Sequence, residues 1–276
     1  NMLAGSGKTF TMTGNAEMPG LTPRAVTELY STIGDMTDST VVVKSYFVEL
    51  YNDQLVDLLR NLEPKGKKKQ APPALEIKVD ASKMVIVKNA IVRDVGSAEE
   101  LLQVFDQANK SRHVGATKMN AESSRSHSIL GLYVENYNKQ TKKTSKGKLS
   151  LIDLAGSERA KKTEATGAAL AEGMAINKSL SALGNVISAL STGASFVPYR
   201  ENKLTLLMQD SLGGNAKTLM FVNISPADYN AEETMGSLTY ASRVKNIKNN
   251  AEQNQESQEV ARLKKIIASY ENGGGG

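Results

Sequence analysis

The 276-residue chain has no cysteine. Disulfide frameworks and thiolate metal sites are therefore excluded, and His113 and His127 are the only imidazoles, which argues against structural zinc. Aromatic residues are 5% of the chain, and none interleave with a basic stretch, so nothing reads as a nucleic-acid surface. No apolar run approaches the roughly 18 residues needed to cross a bilayer, and the start at Asn1 lacks a basic-then-apolar signal pattern. The expectation is a soluble, intracellular protein with neither a membrane nor a nucleic acid as partner. No internal repeat is present. The 34 basic and 29 acidic residues leave a net charge of +5, a mixed exterior biased toward an acidic surface.

The punctuation of the chain predicts an α/β fold, a mainly β central sheet between helices. Thr22-Pro23 offers a helix start that Gly34 ends, and Val41–Leu50 is rich in β-branched and aromatic residues, as strands are. A basic loop is expected over Glu63–Pro73, with Lys65, Lys67, Lys68 and Lys69, followed by a hairpin over Leu75–Val92. Ser97 and Glu100 form a capping-box pattern ahead of Leu101, Leu102, Val104 and Phe105. Strands are expected at Ser128–Val134, Lys148–Leu154 and Thr218–Ile224. Ile176, Leu180, Leu183, Ile187 and Leu190 mark one face of a long helix, and Lys203–Leu212 reads as another, stopped by Gly213-Gly214. The spacing divides the chain into a domain over 1–248, a polar linker with a short amphipathic helix over 249–272 (Val260, Leu263, Ile267, Tyr270), and a glycine tail over 273–276.

Three clusters carry chemistry. Gly5-Ser6-Gly7-Lys8-Thr9 matches the second half of a phosphate-binding loop, in which backbone N–H groups cradle phosphates, the lysine reaches their oxygens and the hydroxyl ligates Mg²⁺. The first glycine of the full pattern would fall where Met2 stands, and a glycine-rich helix start is the plain alternative. Asn120 to His127 packs an amide, hydroxyls and a guanidinium into eight residues, an inventory suited to a metal, a phosphate and a water, or to a polar turn. Asp153-Leu154-Ala155-Gly156-Ser157-Glu158 follows an apolar strand, so Asp153 should emerge at a strand's carboxyl end, where α/β sheets bind ligands.

Asn120-x-x-Ser123-Ser124-Arg125-Ser126-His127 and Asp153-Leu154-Ala155-Gly156-Ser157-Glu158 resemble switch I and switch II of kinesins. Pro198–Thr205 and Tyr240-Ala241-Ser242-Arg243 also resemble kinesin segments, so the likeness runs from about residue 5 to about residue 248. The resemblance implies a kinesin-type P-loop NTPase that couples ATP hydrolysis to microtubule binding and movement. ATP/ADP would be held by Gly5, Ser6, Gly7, Lys8, Thr9 and Phe10. Mg²⁺ would be met by Thr9, by Ser124 and, through water, by Asp153. Gly156 would sense the γ-phosphate, an Arg125–Glu158 pair would close the site, and Asn120 and Ser123 would complete the water network. Tubulin would be met by the helix from Ile176, by Arg200 and Lys203, and by a second patch of Lys78, Lys83 and Lys88. His113 and His127 are expected in structural or solvent roles rather than as bases.

The resemblance also marks departures. The family begins with strands ahead of the P-loop, so an N-terminally incomplete fold is expected, and a nucleotide-insensitive structural head with a degenerate ATP site is the competing expectation. Beyond Lys248 the chain is more similar to minus-end-directed, calmodulin-binding kinesins with C-terminal motors, where the Arg262-Leu263-Lys264-Lys265 pattern fits. Dimerisation through a coiled coil and a calmodulin-type regulator would both lie outside this chain. The implied location is the cytoplasm, on cytoskeletal microtubules of spindle or axoneme.

Overall fold

The structure, a computed structural model, describes residues 6–63, 72–80, 83–114, 125–156, 167–213, 216–249 and 255–257. In chain order its elements are α1 (Lys8–Thr13), α2 (Leu21–Gly34), β1 (Ser39–Tyr51), β2 (Gln54–Asp57), β3 (Glu76–Val79), β4 (Val85–Lys88), β5 (Arg93–Asp94), α3 (Ala98–Val114), β6 (Ser126–Asn138), β7 (Lys143–Asp153), α4 (Ala168–Ser191), α5 (Lys203–Leu207), α6 (Gln209–Leu212), α7 (Ala231–Val244) and β8 (Gln255–Ser257). The main sheet runs β2-β1-β6-β7-β8, with β5 also on β1, and its pairings are antiparallel. β3 and β4 form the hairpin expected from the alternation over Leu75–Val92.

Side chains alternate across this sheet and give it two apolar faces. Val43, Phe47, Leu130 and Leu132 turn toward α2 and α3, where Val26, Leu101, Phe105 and Ala108 complete one core. Tyr46, Val48, Leu50 and Ile129 turn the other way, under Leu183, Val186 and Ile187 of α4 and Leu204 and Leu207 of α5. The expected sandwich of a sheet between helices is what forms. The predicted stripe on α4 is the buried one: Ile176, Leu183 and Ile187 are all within 9% exposure.

Two local devices fix the register. Tyr46 of β1 stands opposite Gly131 of β6, and its ring lies where a β-carbon on Gly131 would be, stacked on Tyr133 at a centroid distance of 5.3 Å. Lys148 of β7 donates to Asp210 of α6 and to the Val85 carbonyl, both at 2.9 Å, while the Val85 N–H donates to the same Asp210 oxygen at 2.8 Å. That buried pair binds the β3–β4 hairpin to the main sheet.

Several expectations are corrected. Helix α2 begins at Leu21 with Gly20 as its N-cap and no side-chain cap, so Thr22 does not cap it. Ser97 does accept from the Glu100 N–H at 3.2 Å, but the Glu100 carboxylate returns to the Gly96 N–H rather than to Ser97. The single helix expected over 203–212 is two, α5 and α6, which meet at Met208; Asn202 caps the first by accepting from the Leu204 N–H at 2.9 Å. Thr218–Ile224 is not a strand. Its apolar composition suits one, but among the described residues its backbone finds no neighbouring strand, and a cleft of about 560 Å³ separates it from the edge of β7. β8 falls inside the expected polar linker, pairing Gln255–Ser257 with Lys143–Ser145. The basic run Lys65–Lys69, the amphipathic stretch Val260–Tyr270 and the glycine tail lie outside the described residues.

Gly131→Ala should cost about 1–3 kcal/mol, because its methyl would displace the Tyr46 ring. Gly147→Ala on neighbouring β7, where a β-carbon meets nothing within 4 Å, should change stability by less than about 0.5 kcal/mol. Urea unfolding of the two variants checks the contrast.

Candidate nucleotide site

Gly7 turns into α1 with φ 89°, a left-handed conformation that glycine adopts without strain, and this brings Lys8, only 5% exposed, and Thr9 to the carboxyl end of β7. There the Thr9 hydroxyl donates to the Asp153 carboxylate at 2.9 Å, across 144 residues of sequence. Ser6 precedes this turn, Phe10 is on the exposed side of α1, and Gly156 is buried three residues past Asp153. Asn223 donates to the Thr11 hydroxyl at 2.9 Å, tying the non-strand segment to α1. Gly5, Asn120, Ser123, Ser124 and Glu158 lie outside the described residues. Thr9 and Asp153 offer hard oxygen donors beside a lysine, a set that fits Mg²⁺ with phosphate and water completing its shell. Among the described residues no cluster of three or more His, Asp or Glu could hold a metal unaided.

The start of β6 supplies the second half of the site. Arg125 donates to Glu172 of α4 at 2.6 Å, a partner that sequence reasoning did not name. Ser126 points to the opposite face, donating to Glu49 at 2.5 Å and accepting from Arg112 at 3.0 Å; Arg112 also donates to Glu49 at 3.1 Å. His127 lies on the same face as Arg125. Its Nδ1 accepts the Ala155 N–H at 3.0 Å, so Nε2 carries the proton and donates to Ser179 of α4 at 2.8 Å. Burial, and secondarily the Arg112 charge, push its pKa down to about 3. His127 is therefore neutral and structural, as expected. The one signal that could have found Ser179 is its position on the apolar stripe of α4, where a hydroxyl needs a partner.

The basic residues expected to meet tubulin are all exposed. Arg200 sits in a short turn, Tyr199–Glu201, that accepts a 3.0 Å hydrogen bond from Asn185 of α4 through Glu201. Lys203 donates to the Asp53 carbonyl at 2.6 Å, and Lys78 pairs with Glu76 at 3.1 Å. Lys83 and Lys88 lie on the same β3–β4 hairpin as Lys78. The hairpin touches α5, which follows that turn, so these side chains and the outer face of α4 border one surface.

A family description, the kinesin motor domain, matches residues 3–247. The chain belongs to the kinesin motor domain family. The kinesin-like protein KIN-14E of Arabidopsis thaliana is 51% identical over 267 residues, 96% of this chain and 21% of that protein. KIN-14I of Oryza sativa subsp. japonica matches at the same identity and shares, and the kinesin heavy chain of Doryteuthis pealeii is 44% identical over 256 residues, 91% of this chain and 26% of that one. The chain thus spans about a fifth of the length of its KIN-14 relatives. Among solved structures, a two-heads-bound KIF14 dimer with AMP-PNP in complex with a microtubule superposes with a TM-score of 0.84 at 35% identity, covering 95% of this chain and 75% of that one. A fast kinesin superposes at 0.80 with 38% identity, covering 93% and 72%. The Thr9–Asp153 contact thus lies within the stretch that matches the kinesin motor domain.

Asp153→Asn should weaken Mg²⁺ affinity about 10–100-fold, as loss of an outer-shell carboxylate does, in a Mg²⁺ titration of a fluorescent ADP. The depressed His127 pKa gives a second expectation. The unfolded state takes up a proton below pH 6.5 that the folded state refuses until about pH 3, so stability is complete above 6.5 and falls with pH between those values. The slope should reach about 1.4 kcal/mol per pH unit, and His127→Gln should abolish this component in urea melts across pH 4 to 7.

Proposed function

We propose that this kinesin motor domain is a microtubule-stimulated ATPase that converts Mg²⁺·ATP hydrolysis into nucleotide-dependent microtubule binding and movement, minus-end-directed as suits its likeness to KIN-14 proteins. The observation that carries the reading is the Thr9 hydroxyl on Asp153 beside Lys8, which joins the phosphate-binding turn to the strand end leading into Gly156. Bound Mg²⁺ supplies charge neutralisation of the phosphates. Lys8 and the Gly7 turn hold the phosphate chain, Thr9 and Asp153 orient the metal's shell, and the Gly156 backbone approaches the terminal phosphate. Arg125 and Glu158 would close the site over it, with Asn120 and Ser123 placing the attacking water and Ser124 a second hydroxyl near the metal. Hydrolysis here works by positioning, since His127 is held neutral and buried, away from base chemistry.

Binding to tubulin through the outer face of α4, Arg200, Lys203 and the β3–β4 hairpin is supported by their shared border. The microtubule cytoskeleton, of spindle or axoneme, is the location that follows. A coiled coil for dimerisation and a calmodulin-type regulator, both outside this chain, belong to the same reading. The competing reading, a structural head indifferent to nucleotide, is favoured by the open cleft between β7 and residues 217–221.

Microtubule co-sedimentation with AMP-PNP and with ADP separates the two. The motor reading expects at least about tenfold tighter binding with AMP-PNP, equivalent to 1.4 kcal/mol. Equal binding would sink it. Arg200→Ala with Lys203→Ala should weaken microtubule binding at both nucleotides and make what remains less sensitive to salt.

A further inference from the structure

Resting on the motor reading, we infer that His127 is a positioning residue that couples α4 to the nucleotide site: by holding the Ala155 N–H on Nδ1 and the Ser179 hydroxyl on Nε2, it passes a displacement of α4 to the backbone leading into Gly156. Three elements meet at this ring. His127 belongs to β6, Ala155 follows the last residue of β7 by two, and Ser179 sits on the buried side of α4. All three are within 4% exposure, so no water substitutes for a lost partner.

The link is anchored at both ends to main chain. Ala155 contributes its own N–H, and the Ser179 hydroxyl donates in turn to the Ile176 carbonyl at 2.7 Å, inside the helix it rides on. A rigid ring between them leaves little slack. The His127–Ser179 bond is 2.8 Å, and a hydrogen bond is lost by about 3.5 Å, so a shift of α4 by well under one residue's rise breaks it. A second tie runs parallel to the first. Arg125, two residues earlier on the same face of β6, reaches Glu172, two turns earlier on α4. Those are two flexible side chains with several rotatable bonds, and they follow a moving helix without letting go. The short histidine link senses position; the long ion pair keeps the elements tethered.

The geometry demands both ring nitrogens in defined states. Asparagine could present an acceptor near Nδ1 yet not reach Ser179. Arg112, which with Glu49 and Ser126 packs on the opposite side of β6, opposes protonation of the ring and so keeps the tautomer that serves both partners.

The test uses Ser179→Ala, His127→Asn and, as control, Ser31→Ala on the exposed side of α2, which packs on the opposite face of the sheet from α4. Steady-state ATPase is measured with and without microtubules, alongside long-range ¹H–¹⁵N spectra of the two histidines. The wild type should show a His127 ring protonated at Nε2. Ser179→Ala should leave basal turnover and the KM for ATP within about twofold. It should lower the microtubule-stimulated kcat several-fold to about tenfold, the span typical of a lost coupling contact. His127→Asn should reproduce that loss and Ser31→Ala should not. Unchanged stimulation in Ser179→Ala, an Nδ1-protonated ring, or an equal fall of basal and stimulated rates with a lowered Tm would each overturn the inference. Absence of microtubule stimulation in the wild type would instead refute the motor reading itself.

Discussion

A strand paired on both edges cannot slip by one residue without exchanging its two faces, and β6 is that strand here. Its thirteen residues are in register with β1 along their whole length and with most of β7. That register sends Arg125 and His127 toward α4 and Ser126 toward α3, and sets Ser128 opposite Asp153. The two cores, the placement of α4 and the meeting of Thr9 with Asp153 all follow from it. Gly131 and Tyr46 guard the register from within, since the ring fits over only one residue of β6 without a side chain.

On the proposed reading, α4 lies between the nucleotide end and the tubulin-facing surface. One end of that helix is held by Arg125 through Glu172 and its middle by His127 through Ser179, while Asn185 bonds to Glu201 beside Arg200. A helix grasped at successive turns by strand, strand and surface turn moves as a rod, and each of its partners feels the motion. Packed elements of this kind shift between discrete arrangements rather than deforming continuously, which is how switching proteins use them.

Much of this was legible in the sequence. The β-branched and aromatic content of Val41–Leu50 and the strand signal at Ser128–Val134 marked strands because both faces of each are covered, and the four- and three-residue spacing from Ile176 marked α4 because one stripe is buried. The Gly5–Thr9 and Asp153–Glu158 segments could be singled out from residue type and order alone, and the structure brings Thr9 to Asp153. What could not be read were relations set by tertiary neighbours. Thr218–Ile224 has the composition of a strand, but composition says nothing of whether an edge lies beside it. Lys203–Leu212 carries a continuous helical signal, but the turn at Met208 lets Asp210 reach Lys148 and Val85. Glu172 is a partner of Arg125 that no pattern in the sequence points to, because the approach of α4 supplies it.

The contrast between the two kinds of contact on α4 has a consequence for how the domain responds to its medium. Arg200, Lys203 and the hairpin lysines stand in water, where mobile ions within about 8–10 Å at physiological ionic strength mute their charges. The His127 junction carries no charge and is sealed from solvent. On the motor reading, added salt therefore loosens the outer grip while leaving the inner relay untouched, so grip and internal signalling answer to separate controls.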